Sequence, residues 1–257
     1  MLVTWTTVKI LQAQFVVKEN LPPQPAIEEY SNKPVTIKPV KLVYAGKPVV
    51  VPLDCAYAYF EQAGIVCSNN TPCELFLELA AVEAAGEHIF VVGNVHTVSA
   101  TIASIMLLSE DAGKTWYEPV NRHAGGVLEH IQFMDKNHGW AVGQQRALNS
   151  SFKPLLLSTY NAGKRWQHYP VSRNDDHTGT ILDLYFDTEE HGLMIVNRGI
   201  SATDPFELYE SMNGGRSWLI RQITNYKPRL RNRPAGLPDS NWRILADLDT
   251  TNYRIEQ

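Results

Sequence analysis

The sequence predicts an all-β fold of the propeller class. Three observations carry this: an eight-residue turn motif occurring three times, a near-constant spacing between the copies, and strand-length apolar runs in the same order before each copy. The copies are Ser109-Glu110-Asp111-Ala112-Gly113-Lys114-Thr115-Trp116, Thr159-Tyr160-Asn161-Ala162-Gly163-Lys164-Arg165-Trp166 and Ser211-Met212-Asn213-Gly214-Gly215-Arg216-Ser217-Trp218. Their tryptophans, at 116, 166 and 218, are 50 and 52 residues apart, the length of a four-stranded propeller blade and long for a solenoid unit. Other landmarks keep the same phase: Phe133 and Phe186, like His138-Gly139 and His191-Gly192, are 53 apart, and Gly93 precedes Gly143 by 50.

The chain opens on Pro22, Pro23, Pro25, Pro34, Pro39, Pro48 and Pro52, which make residues 19–52 extended and averse to helix. Within this stretch Val35-Thr36-Ile37 and Lys41-Leu42-Val43-Tyr44 alternate as strands do, and Ala45-Gly46 marks a turn before Pro48-Val49-Val50-Val51, so a hairpin is expected. Ala56 to Ala63 reads as a short helical turn. The organisation is therefore an extended segment over 1–34, a hairpin and Cys-containing connection over 35–74, and propeller blades over 75–257 with a loop insertion at 226–241.

Three blades are expected. The first takes Leu75 to Ala84, Ile89 to Val95, Ile102 to Leu108 and, after its turn, Trp116 to Val120. The second takes Val127 to Phe133, Gly139 to Gln144, Pro154 to Leu157 and Trp166 to Val171, and the third Thr180 to Phe186, Gly192 to Val196, Phe206 to Glu210 and Trp218 to Ile223. Trp242 to Leu248 and Tyr253 to Glu256 supply two strands of a fourth. Either the Val35 to Val51 hairpin pairs with these strands to complete a blade and seal the ring, or the sequence is a fragment whose remaining strands lie elsewhere.

The residue types of the octet suit a tight hairpin that satisfies its own backbone donors. Ser109, Thr159 and Ser211 offer hydroxyls, and Asp111, Asn161 and Asn213 offer short acceptors for nearby N–H groups. Gly113, Gly163 and Gly215 supply positive φ. Trp116, Trp166 and Trp218 then open the outer strand, where the ring can bury between blades and the indole N–H can reach a carbonyl.

The octet resembles the Asp-box, or bacterial neuraminidase repeat, whose pattern is Ser-x-Asp-x-Gly-x-Thr-Trp. Ser109 to Trp116 matches it throughout; Asn161 and Asn213 stand at the acidic position, and Thr159 replaces the serine. Among Asp-box propellers, which include sialidases and sortilin-type receptors, the run Phe133-Met134-Asp135-Lys136-Asn137-His138-Gly139-Trp140-Ala141-Val142-Gly143 looks most like the photosystem II stability and assembly factor group and its bacterial relatives. That resemblance implies a non-enzymatic protein-binding or assembly scaffold, typically periplasmic or secreted. The alternative is a carbohydrate-binding or glycoside-hydrolysing, sialidase-like propeller.

Sialidase chemistry needs three arginines to clamp a carboxylate, the first of them upstream of the first octet in that family. This chain has no arginine before Arg122. Asp183, Asp187, Glu189 and Glu190 are the acidic candidates for another glycosidase, set against an ordinary solvated surface. Of the eight histidines, His138 and His191 sit at equivalent turn positions, His96 is single, and Asp175-Asp176-His177 lies in a polar connection between blades. No catalytic residue, cofactor or metal site is expected.

The sharper binding expectation is basic. Arg221, Lys227, Arg229, Arg231 and Arg233 place five of the 23 cationic side chains within 13 residues of a chain with net charge −4. They read either as a solvated loop or as a dock for a protein with an acidic surface. Nucleic acid fits poorly, since the overall charge is negative and aromatic interleaving stops at Tyr226. No apolar run reaches the ~18 residues of a membrane span. Among the three cysteines, Cys67 and Cys73 bracket a turn-rich Ser-Asn-Asn-Thr-Pro and can close as a disulfide, leaving Cys55; three buried thiols are the alternative. A disulfide favours an exported protein whose signal is not visible, and free thiols favour the cytoplasm.

Overall fold

The computed structural model describes residues 40–44, 47–51, 57–65, 73–147, 151–172, 178–199, 203–230, 243–246 and 252–256. The chain divides into two compact units, Met1–Thr36 and Ile37–Gln257; all described residues belong to the second. Val35-Thr36-Ile37, Cys55, Cys67, Asp175-Asp176-His177, Arg231 and Arg233 lie outside the described residues.

A hairpin of β1 (Val40–Tyr44) and β2 (Lys47–Val51) and a short helix α1 (Tyr57–Ala63) precede three antiparallel sheets. The first sheet holds β3 (Phe76–Ala85), β4 (His88–His96) and β5 (Thr101–Ser109). The second holds β6 (Gly126–Phe133), β7 (Gly139–Arg146), β8 (Phe152–Thr159) and β9 (Gln167–His168), and the third β10 (Thr180–Phe186), β11 (Gly192–Asn197), β12 (Phe206–Ser211) and β13 (Leu219–Thr224). In all three, spatial order follows chain order. This repeated up-and-down sheet is the propeller blade, so the fold is all-β and of the propeller class. Among the described residues, no helix is long and apolar enough to cross a membrane.

Apolar side chains on facing surfaces stack the sheets in chain order. Phe90, Val92, Met106 and Leu108 of the first sheet meet Leu128, Ile131, Phe133, Leu155 and Leu157 of the second. Trp140, Val142 and Leu156 of the second meet Ile181, Phe186, Met194, Val196 and Tyr209 of the third. Phe90 stacks on Phe133 with centroids 4.1 Å apart, and Trp140 on Phe186 at 3.6 Å. The helix α1 seats Phe60 and Ala63 on Ile102 of β5.

The recurrence of Gly93 and Gly143 at the repeat spacing has a backbone cause. Each lies opposite a bulge in the preceding strand, at Leu79/Ala81 and at Leu128/His130. A Cβ there would meet the Glu78 carbonyl oxygen at 2.1 Å or that of Val127 at 2.0 Å, so only glycine lets the bulged strand approach.

β14 (Arg243–Ala246) and β15 (Asn252–Glu256) join the N-terminal hairpin in one sheet of order β14-β15-β1-β2. The expected partnership of hairpin and C-terminal strands is therefore present. Its junction is parallel, with Lys41 opposite Asn252 and Val43 opposite Arg254, unlike the antiparallel neighbours elsewhere. Ile255 of this sheet is buried among Leu77, Leu79, Val91 and Leu107 of the first sheet, with Ile244 beside it. Among the described elements β14 packs on β3, and no packing of that extent joins the terminal sheet to the third. The described residues thus form an incomplete propeller.

The outer strands depart from expectation. Trp116 to Val120 forms no strand and keeps only the bridge between Tyr117 and Leu108. Trp166 to Val171 shrinks to the two residues of β9, whereas the third sheet's outer strand runs for six. Proline accounts for the difference: Pro119 and Pro170 follow their tryptophans by three and four positions, and a residue without an N–H cannot continue a ladder. The third copy has none before Pro228.

Candidate functional site

The three octets fold alike. Ser109 Oγ donates to Asp111 Oδ1 (2.9 Å) and accepts from Gly113 N (2.7 Å), while Asp111 Oδ1 accepts from Thr115 N (2.8 Å). Thr159 and Asn161 repeat this toward Gly163 N (3.0 Å) and Arg165 N (2.9 Å), and Ser211 and Asn213 toward Gly215 N (2.8 Å) and Ser217 N (3.0 Å). Thr115 adds a second bond, Oγ1 to Asp111 Oδ2 at 2.7 Å. Led by this hydroxyl, the Thr115 donors hold the Asp111 carboxyl down at about 2. Two consecutive residues take positive φ in every copy: Ala112 and Gly113, Ala162 and Gly163, Gly214 and Gly215. The octet glycines marked the second of each pair; the first was not read, being alanine, which carries no such signal, in two copies and Gly214 in the third.

The octet tryptophans turn into the stacks between sheets. Trp218 lies edge-on to Phe186, and Trp166 edge-on to both Phe90 and Phe133. Trp116 packs beside Leu77 and Ile255. Trp116 Nε1 donates to Gly113 O (3.1 Å) and Trp218 Nε1 to Gly215 O (3.0 Å). Trp166 departs from the expected carbonyl contact: its buried Nε1 has no hydrogen-bond partner among the described residues. Side-chain amides also tie neighbouring sheets. Asn94 bonds both the N–H and C=O of Leu128, and Gln132 does the same to Phe186. Neither residue was singled out in the sequence, since a lone amide in a strand carries no local sign of such a cross-sheet role.

These buried devices fix the position of one exposed strand. β13 is the outer edge of the third sheet, and Leu219 (66% exposed), Ile220 and Ile223 (53%) all face solvent, as do Met212 and Tyr226 nearby. Among the described residues, most large exposed apolar side chains lie in this stretch of the chain. Arg221, the first member of the basic cluster, sits within β13, inside the expected Trp218 to Ile223 strand, and bonds Glu210 through its guanidinium. That contact, with His191 second, holds the Glu210 carboxyl below its usual range. Lys227 and Arg229 are exposed just beyond the strand.

The remaining sequence candidates are dispersed. His191 Nδ1 lies 2.6 Å from Asp187 Oδ1 and its Nε2 3.2 Å from Glu210 Oε1, and the Asp187 contact first of all raises its pKa. His138 Nδ1 lies 2.9 Å from Asp135 Oδ2 and 3.4 Å from Glu189 Oε1. His96 Nδ1 lies 3.3 Å from its neighbour Thr97 O, and its ring is tilted against Phe76. Asp183 accepts from Leu184 N beside the β10 bulge, and Glu190 is exposed. Cys73 is disulfide-bonded, and both other cysteines lie outside the described residues. A groove of about 510 Å³ runs between Glu118–Asn121 and Lys164–His168. Partial withdrawal from water lowers the pKa of His123 and His168 on its wall.

The chain matches no protein-family model and no curated protein. Among solved structures it is similar to the GH74 xyloglucanase from Xanthomonas campestris, at 20% identity over 52% of this chain and 18% of that one, with a TM-score of 0.39. It is similar to YCF48 bound to a D1 peptide at 15% identity, over 74% of this chain and 58% of the other, with a TM-score of 0.42. YCF48 from Cyanidioschyzon merolae follows at 12%, over 58% and 86%, with a TM-score of 0.16. The chain thus spans less than two thirds of the first two. Scores of this size assign no function.

Proposed function

We propose that this chain is a non-enzymatic protein-binding scaffold of Asp-box propeller blades, which receives an extended, acidic segment of a partner protein along β13. The observation that carries this is the six-residue outer strand itself. An edge strand presents unpaired backbone donors and acceptors, and soluble proteins blunt such edges with shortness, proline or charge. The first two sheets are blunted in that way and the third is not. A partner strand added here gains backbone hydrogen bonds, while Leu219, Ile220 and Ile223 cover its apolar side chains. Lys227 and Arg229, which form no ion pair among the described residues, favour acidic side chains in that segment.

The hydrolase alternative is less well served. Carbohydrate sites use exposed aromatic platforms beside carboxylates, and the three octet tryptophans are held between sheets. The disulfide at Cys73 supports an exported location. Affinity capture from the native extract with the wild-type chain and with an Ile220→Lys/Ile223→Lys variant tests the reading. The expected result is a protein retained by the first and lost by the second. An identical retained set, or turnover of an aryl glycoside panel at enzymatic rates, would reverse the order of the two readings.

A further inference from the structure

The two repeat-equivalent histidines are surrounded by carboxylates in different ways. At His191 the carboxylates occupy opposite ring nitrogens, Asp187 at Nδ1 and Glu210 at Nε2, so each has its own N–H to accept. At His138 both carboxylates converge on the same nitrogen: Asp135 Oδ2 is 2.9 Å and Glu189 Oε1 3.4 Å from Nδ1. One N–H serves one acceptor well and leaves two negative charges facing each other. A cation at the point of convergence satisfies all three atoms.

We propose that Asp135, His138 and Glu189 form a binding site for a first-row divalent transition ion, zinc being the best fit, that clips the second sheet to the third. One ligand atom from each side chain lies within 4.8 Å of the other two. An ion held at about 2.0–2.2 Å by nitrogen and oxygen places tetrahedral ligand atoms about 3.3–3.6 Å apart. The 3.4 Å separation already has that size, and the 2.9 Å one widens by a few tenths of an ångström once the proton between the atoms is displaced. An imidazole nitrogen among the ligands selects against magnesium and calcium, which prefer an all-oxygen shell.

The ligands are held before any ion arrives. Asp135 Oδ1 accepts from Asn137 N (2.6 Å) and His138 N (2.8 Å), which fixes that carboxylate and leaves Oδ2 for the site. The His138 ring stands edge-on to Tyr160, whose hydroxyl donates to Gly214 O at 2.9 Å in the next sheet. Asp135 and His138 lie in the β6–β7 turn and Glu189 in the β10–β11 turn, so the ion would join two blades. Nothing comparable arises at His191, where Arg221 already neutralises Glu210.

Calorimetric titration of the full chain with zinc chloride in non-chelating buffer tests this, with melting curves recorded in parallel. Expected are one saturable site per chain, a higher melting temperature with zinc, and much weaker binding of magnesium. Glu189→Gln is the cleanest variant, because Glu189 is exposed, whereas Asp135 also organises its turn. Glu189→Gln and His138→Gln are each expected to weaken zinc binding about tenfold or more. Glu189→Gln should keep the zinc-free melting temperature, and His191→Gln should keep full affinity. Absence of saturable binding up to millimolar zinc would overturn the site. So would full affinity in Glu189→Gln, or an equal loss in His191→Gln.

Discussion

The second and third sheets share strand order, register pattern and octet geometry, yet one ends in two outer residues and the other in six. The repeat therefore sets the turn, and the residues after the tryptophan set the edge. Gln167-His168-Tyr169-Pro170 stops the ladder at the proline, while Leu219-Ile220-Arg221-Gln222-Ile223-Thr224 lets it run. The inner faces of both sheets are dry aromatic stacks that cannot change without cost. The outer edge of the third instead presents an extended strand with exposed Leu219, Ile220 and Ile223. On the proposed reading, stability and recognition fall on opposite sides of one sheet.

The largest expected effect comes from the terminal sheet, which guards an edge by a different device. Deleting residues 1–52 removes β1 and β2 and lays β15 bare beside the first sheet, so the truncated chain should aggregate, as scattering or size-exclusion chromatography would show. A soluble chain with unchanged melting would sever the hairpin from the stability of the other sheets.

Next is the dry interface. Trp140→Ala should cost about 3–5 kcal/mol, because the ring is fully buried on Phe186 and its Nε1 donates to Gly214 O at 2.9 Å. Denaturant melting measures it. By contrast Ile220→Lys/Ile223→Lys, on the wet side of the third sheet, should change stability by about 0.5 kcal/mol or less while abolishing partner capture. Similar losses at both places would erase the distinction between core and edge.

A smaller effect separates the octets themselves. Only the first carries an acid, and hydrogen bonds led by the Thr115 hydroxyl hold its folded pKa down at about 2, below the ordinary carboxylate range. The stabilisation from ionised Asp111 is therefore present above pH about 4 and lost as the pH falls toward about 2. Asp111→Asn should remove that part of the acid-unfolding slope, and equivalent substitutions cannot be made at Asn161 or Asn213, which do not titrate. Smallest is Ala112→Gly. The residue has φ 54° where the third octet has Gly214 at 72°, and relief of left-handed strain should raise stability by about 0.5–1 kcal/mol in thermal melts.

Much of the blade interior was legible. Inner strands such as Thr180–Phe186 carry alternating or continuous apolar residues that only a sheet buries. The outer strands were less so, because the octet pattern outweighed Pro119 and Pro170 in a reading led by repeats. The basic cluster was visible as a run of charges, but sequence distance hid that Arg221 faces Glu210 across the β12–β13 pairing. Exposure of Leu219, Ile220 and Ile223 was hidden too, since apolar residues in a strand ordinarily read as core.

By itself the sequence determined the local chemistry: a hydroxyl, a short acceptor and a glycine at fixed offsets close the same turn three times, because every bond in it spans at most four residues. It also determined which residues seek burial. Tertiary structure alone decided which faces and charges meet. That β1 lies parallel to β15, that Asp135 and Glu189 converge on one nitrogen of His138, and that β13 is left at the rim all depend on pairing between segments tens to hundreds of residues apart. Such contacts are selected by the packing of whole sheets, and no local pattern encodes them.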